Sequence, residues 1–169
     1  MKKLHLIRHA KSSWKDLNLS DLERPLKEKG IKDIHTMSQE FLKSEMEFDM
    51  VLTSPALRAF ETSKIIVDAL GITSDKFKVK EKLYLPDFAT LLKSIIYLND
   101  NLDSVAIVGH EPSLSTLINY FINKPLDKVG TGSITTLGFE SKRWINISAS
   151  NLSISFHRNR HDFEGFDLE

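Results

Sequence analysis

The sequence feature that most constrains the fold is an apolar run near the start of the chain, Leu4–Ile7, which ends abruptly in Arg8-His9. A run of this kind predicts a buried strand that delivers a guanidinium and an imidazole to its carboxyl end. The guanidinium offers a planar fork of donors that fits phosphate oxygens, and a neutral imidazole has a lone pair that can attack phosphorus. The opening residues therefore predict a strand that ends at a phosphate site.

A second short apolar run, 49–53, is followed by residues suited to the start of a helix. Ser54 is a favourable N-cap and Pro55 a favourable first helical residue, and apolar residues then recur at helical spacing. This pattern predicts a strand-to-helix junction with Arg58 in the first turn of the helix. A second guanidinium is thereby placed beside a strand end.

A third apolar run, 104–108, ends in Gly109-His110, and Pro112 begins another helical pattern. The run repeats the opening design, because a histidine again arrives directly after a buried strand. The carboxyl ends of parallel strands meet at one edge of a sheet, which is where ligands bind in such folds. Three separate segments are therefore expected to bring phosphate-compatible side chains to the same edge.

The rest of the chain continues the alternation of strands and helices. Periodicity predicts helices over 26–44 and 86–98, and strands over 77–80, 134–140 and 152–157. Strands that alternate with helices are typical of the α/β class. We expect a three-layer sandwich with a mostly parallel sheet flanked by helices on both faces.

Chain length and segment lengths predict one domain over 1–169 with no sizeable cap domain. A chain of 169 residues with 41% hydrophobic and 27% charged residues is typical of a single globular domain. Roughly fifty residues separate Arg58 from His110, and two helices and two strands use nearly all of them. No insertion long enough to form a lid remains.

Charge and cysteine content exclude several classes of function. Lys and Arg together number 23, as do Asp and Glu, so no overall field attracts the chain to nucleic acid or to an anionic membrane. The absence of cysteine excludes a disulfide framework, a thiol nucleophile and a Cys-ligated metal, and is compatible with a reducing cytoplasm. His5 and Arg8 interrupt the N-terminal apolar run too early for a signal peptide. We expect a cytoplasmic protein that neither spans nor binds a membrane.

Three motifs stand in an order that points to a known family. They are Leu-Ile-Arg-His-Ala at 6–10, Ser-Pro at 54–55 ahead of Arg58, and Val-Gly-His at 108–110. In this order they resemble the histidine phosphatase (phosphoglycerate mutase-like) superfamily, and in particular its small phosphohistidine phosphatase branch. The resemblance extends over about 4–139, and its motifs are specific as a set.

The resemblance implies a role for each motif residue. His9 would attack phosphorus and carry the phosphoryl group, Arg8 and Arg58 would hold its oxygens, and His110 would donate to a non-bridging oxygen before water hydrolyses the phosphohistidine. Ser12 matches a position near the phosphate in relatives. A loop hydroxyl bonded to the backbone is the alternative interpretation of Ser12, and the sequence leaves both open.

The sequence assigns no general acid. Larger members of the superfamily supply a carboxylate between the second arginine and the second histidine, and by position the candidates here are Glu81 and Asp87. Neither lies in the family's motif. The favoured interpretation is that Glu81 is a charge at a strand edge and Asp87 a charge at a helix N-terminus. Arg24, which precedes Pro25, is left with two roles: shaping the mouth of the site, or fixing the first loop.

These residues predict a metal-independent phosphatase that acts on a phosphorylated histidine of another protein and needs no cofactor. No cluster of carboxylates and histidines has convincing metal-ligand spacing, and two arginines already supply positive charge. A small-molecule phosphomonoesterase or mutase of the same superfamily is the alternative. A non-catalytic phosphate-binding interaction module is a third hypothesis, but anion binding alone would not require two histidines.

Overall fold

A computed structural model of the chain describes residues 1–163 as six β-strands, four α-helices and several short 3-10 turns. The strands are β1 Lys2–Arg8, β2 Met50–Thr53, β3 Phe77–Val79, β4 Ser104–Gly109, β5 Ile134–Phe139 and β6 Leu152–Arg158. The helices are α1 Glu28–Lys43, α2 Leu57–Ala69, α3 Phe88–Ile96 and α4 Ser113–Phe121. None of these helices has the length and apolar character needed to cross a membrane.

The strands form a single sheet in the order β3-β2-β4-β1-β5-β6. Neighbouring strands from β3 to β1 are parallel, whereas β5 is antiparallel to both β1 and β6. The predicted α/β class and mostly parallel sheet are therefore confirmed. In the parallel part, Arg8 lies opposite Gly109 and Thr53 lies opposite Val108, so β1, β2 and β4 end at the same edge.

Helices cover both faces of the sheet because successive strand residues point to opposite sides. In β1, Leu4 and Leu6 join the core beneath α3 and α4, while Ile7 joins the core beneath α1 and α2. Each fully buried aliphatic side chain of this kind contributes about 1.5–3 kcal/mol to stability. Within residues 1–163 the connections add only loops and short 3-10 turns, with no sizeable cap domain.

The start of α2 differs from the sequence prediction. Ala56 is the N-cap and Leu57 the first helical residue, so the prediction of Ser54 as N-cap and Pro55 as first helical residue is wrong. The Ser54 hydroxyl lies 2.7 Å from Nε2 of His110 and also accepts a 3.2 Å hydrogen bond from the backbone nitrogen of Ala56, so it bridges the histidine and the turn that precedes α2. Arg58 still lies in the first helical turn, as predicted.

The first helix packs closely against the chain that leaves β1. A Cβ atom on Gly30 would lie 2.4 Å from the backbone oxygen of Lys11, so only glycine fits at this point of α1. The same oxygen of Lys11 accepts a 2.8 Å hydrogen bond from the backbone of Lys27. This contact fixes the turn that carries His9 out of the strand.

Candidate active site

A surface cleft of about 460 Å³ opens at the carboxyl edge of the sheet. The residues that line it are Arg8, His9, Lys11, Ser12, Trp14, Arg24, Lys27, Arg58, Leu85, His110, Glu111 and Thr131. All five site residues predicted from the sequence lie in this list. The cleft has a strongly cationic lining, as expected of an anion site.

The imidazole of His9 lies at the floor of the cleft and is 8% exposed. Its Nδ1 is 2.8 Å from the backbone oxygen of Ala10, which can only accept, so Nδ1 carries the proton. Nε2 is therefore unprotonated and accepts a 3.3 Å hydrogen bond from Nε of Arg58. The ring thus points an available lone pair toward a guanidinium, which is the arrangement required of a nucleophile that attacks phosphorus.

Burial and charge keep His9 neutral. The pKa of His9 is lowered to about 3, mainly by burial and also by the nearby His110, Arg58 and Arg8, although the hydrogen bond to Ala10 opposes the shift. A buried site lined by cations disfavours a further positive charge. At neutral pH Nε2 of His9 is therefore free of a proton without help from a separate base.

Arg58 joins the two histidines. Its side chain is almost fully buried, with Nε directed at His9 and Nη2 3.5 Å from Nδ1 of His110. The two imidazole rings lie 5.2 Å apart between centroids. A phosphoryl group entering between them would therefore contact one guanidinium and both rings.

The second histidine is held by a hydroxyl. Nε2 of His110 is 2.7 Å from Oγ of Ser54, and this contact turns Nδ1 toward Arg58 and the cleft. Burial, together with the charge of Arg58, lowers the pKa of His110 to about 4. An entering phosphate dianion reverses part of this effect, since a nearby negative charge favours the protonated ring. His110 can then donate from Nδ1 to a phosphate oxygen.

Arg8 reaches the same cleft from the end of β1. Its Nη1 donates a 2.7 Å hydrogen bond to the backbone oxygen of Val129, and the backbone nitrogen of Val129 donates to Glu111 at 2.8 Å. Nε of Arg8 is buried and has no hydrogen-bond partner among the described residues. An unpaired buried donor is costly, so this N–H is a ready contact for an anion oxygen.

A loop carboxylate, Asp21, lies behind Arg58. Asp21 accepts hydrogen bonds from Arg58 at 2.9 Å, from Arg24 at 2.7 Å and from the Tyr84 hydroxyl at 2.7 Å. Partial burial opposes ionisation, but the hydrogen bonds from Tyr84, Arg24 and Arg58 outweigh it and hold the pKa of Asp21 well below its usual range. Asp21 is therefore ionised and cannot serve as a proton donor at neutral pH.

Ser12 and Arg24 meet at the mouth of the cleft. Nη2 of Arg24 donates to Oγ of Ser12 at 2.6 Å, and its Nε donates to the backbone oxygen of Ser13 at 3.1 Å. Its guanidinium also stacks on the ring of Trp14, an exposed residue. Arg24 thus both fixes the first loop and lines the cleft, so the two roles left open by the sequence coexist.

Glu81 and Asp87, the candidate general acids, lie outside the cleft that holds His9. Asp87 is the N-cap of α3 and accepts a 2.8 Å hydrogen bond from the backbone of Thr90. The side chain and the backbone of Thr90 together lower the pKa of Asp87. Glu81 is exposed in a 3-10 turn and lines a different surface depression, beside α3. Neither residue lines the cleft that holds His9.

Sequence reasoning missed several residues of the site. No sequence pattern points to Asp21, Tyr84 or Glu111, and the pattern at Ser54 predicts a helix cap and a family motif but not a contact with His110. These residues reach the site through contacts between distant parts of the chain. Asp21 and Arg58 are 37 residues apart in the sequence, and Asp21 and Tyr84 are 63 apart, so no local pattern encodes their contacts. The one available signal was the acidic residue three positions before Arg24, typical of a side-chain pair within a turn.

Comparison with known proteins places these features in a family. Residues 4–83 match the model of the histidine phosphatase superfamily (branch 1). The chain is 30% identical over 114 residues to the uncharacterized protein ML1117 of Mycobacterium leprae (strain TN), covering 66% of this chain and 68% of that protein. The alignments span about two thirds of the length of the curated relatives that the chain matches. The chain belongs to the histidine phosphatase superfamily.

Solved structures share the fold at lower identity. The protein histidine phosphatase SixA complexed with tungstate superposes with a TM-score of 0.80 at 21% identity, covering 96% of this chain and 99% of that one. A phosphoserine phosphatase mutant from Entamoeba histolytica, complexed with phosphoserine, gives 0.64 at 19% identity, covering 85% and 93%. The fold is therefore shared by phosphatases with different substrates.

Proposed function

We propose that this protein is a phosphohistidine phosphatase that removes phosphate from a histidine of another protein through a phospho-His9 intermediate. The observation that carries the proposal is the state of the carboxylates near the cleft. Asp21 is ionised by its three donors, and both carboxylate oxygens of Glu111 accept hydrogen bonds, from Val129 and Ser115. Both carboxylates are thus engaged by other groups of this chain, which favours a substrate whose leaving group does not depend on a carboxylic acid.

A site whose carboxylates are engaged in this way favours a substrate in which the leaving atom is nitrogen. An alkoxide leaves poorly unless it is protonated, whereas the nitrogen of a phosphorylated imidazole leaves with less help. In the first step Nε2 of His9 forms a bond to phosphorus as the bond to the substrate imidazole breaks, and solvent supplies the proton to that imidazole. In the second step water attacks phosphorus, the bond to Nε2 breaks, and phosphate and a proton are released.

Positive groups around the phosphoryl oxygens stabilise both steps. Nε of Arg58 contacts the attacking nitrogen, Arg8 lines the same cleft with its Nε unpaired among the described residues, and His110 adds a third donor. Charge that develops on equatorial oxygens is stabilised most by such fixed donors. The site therefore performs phosphoryl transfer by positioning and electrostatics.

The shape of the cleft favours a protein substrate. Trp14 is 66% exposed and Leu85 is 52% exposed, and both line the cleft that holds His9. Apolar side chains at a rim are suited to contact another protein, which can itself cover the site and exclude water. We infer that the partner is a phosphohistidine-bearing domain encountered in the cytoplasm.

Ester hydrolysis is the second candidate function. It is favoured by the shared fold of the phosphoserine phosphatase, whose substrate is a small phosphate ester. On this alternative the same His9 intermediate forms, but a proton donor must reach the leaving oxygen.

The leaving group therefore decides between the two candidates. We expect kcat/KM for a phosphohistidine-containing protein to exceed that for alkyl phosphates, including sugar phosphates and phosphoserine, by more than about a hundredfold, equivalent to roughly 2.7 kcal/mol. Steady-state assays on both substrate types provide the ratio. The variants Glu81→Gln and Asp87→Asn are expected to retain activity, and similar values for both substrates or a marked loss in either variant would favour the ester phosphatase.

Metal independence is a separate expectation. Among residues 1–163 there is no group of three or more His, Asp or Glu side chains arranged to hold a metal ion. The arginines already supply the charge that a metal would bring to a phosphoryl group. Activity measured after dialysis against a chelator should equal that of the untreated enzyme, while loss on chelation followed by recovery with a divalent ion would contradict the proposal.

A further inference from the structure

We propose that Asp21 is a positioning residue. It holds the side of the Arg58 guanidinium that faces away from His9, and it sets how tightly the cleft binds phosphate. This inference rests on the proposed function, because the phosphoryl group is the ligand whose affinity Asp21 would control. The donors of the Arg58 guanidinium are divided between two sides, one toward the cleft and one toward Asp21.

The inner side of the Arg58 guanidinium serves the cleft. Nε points at Nε2 of His9 at 3.3 Å, and Nη2 approaches Nδ1 of His110 at 3.5 Å. Both distances are long for hydrogen bonds, so these donors are weakly used before an anion enters. They are the donors that a phosphoryl group between the two rings would take.

The outer side is committed to Asp21. Nη1 donates to the backbone oxygen of Asp21 at 2.5 Å, and Nη2 donates to its Oδ2 at 2.9 Å. These contacts are shorter than those on the inner side, as expected of a charge-assisted, two-point pairing. Asp21 therefore holds the guanidinium in its plane and leaves the inner edge free for phosphate.

Asp21 is itself anchored independently of Arg58. Its Oδ1 accepts from Arg24 at 2.7 Å, and its Oδ2 accepts from the Tyr84 hydroxyl at 2.7 Å. Arg24 is 7% exposed and is fixed in turn by Ser12. Tyr84 packs edge-on against His110, with ring centroids 5.8 Å apart. Three chain segments therefore meet at one carboxylate, and an arginine so anchored loses less freedom when it binds phosphate.

Asp21 also reduces the positive charge around the cleft. Three arginines and two lysines line it or border it, and the Asp21 carboxylate lies between two of the guanidiniums. A negative charge at this position weakens anion binding through the Coulomb interaction, although its 39% exposed side chain is screened by solvent. Product phosphate is consequently released more readily than a cleft without Asp21 would allow.

The test is the variant Asp21→Asn, which keeps the shape of the side chain and its backbone contact with Arg58 but removes the charge. We expect inorganic phosphate to bind roughly three to ten times more tightly by calorimetry, since one counter-charge is lost. We expect kcat on a phosphohistidine-containing protein to fall at least about tenfold, because Arg58 is less well fixed and phosphate leaves more slowly. A merely structural role would weaken phosphate binding and lower kcat together.

Two further variants sharpen the test. Asp16→Asn removes the same charge from the same loop at an exposed residue whose carboxylate accepts a hydrogen bond from the backbone of Asn18, and should change neither value. Tyr84→Phe removes one donor to Asp21 without changing charge, so kcat should fall about two- to fivefold while phosphate affinity stays within about twofold. It also tests the anchor if the Asp21 variant fails to fold.

Unchanged or weaker phosphate binding in folded Asp21→Asn, or unchanged kcat, would overturn the inference. An equal gain in phosphate affinity in Asp16→Asn would overturn it too, because net charge alone would then explain the effect. Calorimetric binding of phosphate does not depend on turnover. Absence of phosphohistidine hydrolysis by the unaltered protein would therefore count against the proposed function, while the affinity comparison would still decide the effect of Asp21.

Discussion

Replacing His9 by alanine is expected to reduce turnover by at least about ten-thousandfold and to eliminate the phosphoenzyme. The reason is that Nε2 of His9 is the nitrogen with a free lone pair facing Arg58, and loss of a nucleophile removes the reaction path rather than one stabilising contact. Rapid quenching of the unaltered protein with labelled phosphohistidine substrate should leave label on this chain that is acid-labile and base-stable.

The substrate carries the same kind of bond, so the two chains must be separated before the label is counted. Mass spectrometry at alkaline pH can then place the phosphate on a peptide. His35→Ala is a matched control, because His35 is exposed on α1 and should retain both activity and labelling. Label on another residue, or undiminished turnover in His9→Ala, would show that the nucleophile is wrongly assigned.

Replacing Arg58 by methionine is expected to reduce kcat/KM about a hundredfold to a thousandfold. Methionine preserves much of the apolar packing of this buried side chain but removes every donor that faces His9 and His110. Loss of one fixed donor to developing charge typically costs this much. Comparison of kcat/KM on the phosphohistidine protein gives the effect directly.

Arg58→Lys should recover little of the loss. A lysine ammonium cannot contact Asp21 at two points and also present a planar N–H edge to the phosphoryl group. Arg143→Met is the control, since Arg143 is an exposed arginine paired with Asp100 away from the cleft. Full recovery by lysine would indicate that charge alone is needed at position 58 and would contradict the positioning argument.

The sequence predicted the fold and the convergence of the proposed site with little error. The strands 77–80, 134–140 and 152–157 differ from the structure by a residue at one end or the other. The agreement has a local cause. The period at which apolar residues recur along the chain indicates whether a segment forms a helix or a strand, and that period can be read from the sequence. Arg8, Arg58 and His110 could be placed at one edge because each directly follows a strand or opens the helix after one.

The tertiary structure alone decided what surrounds His9 and Arg58. It placed the Ser54 hydroxyl against both His110 and the backbone of Ala56, and it brought Asp21 to Arg58 and Tyr84 to Asp21. The Asp21 loop has no hydrophobic periodicity, so its position is set by hydrogen bonds to residues far along the chain. Apolar periodicity determines which elements form and where strands end, whereas polar contacts between distant segments determine which nitrogen is free and which guanidinium edge remains open to phosphate.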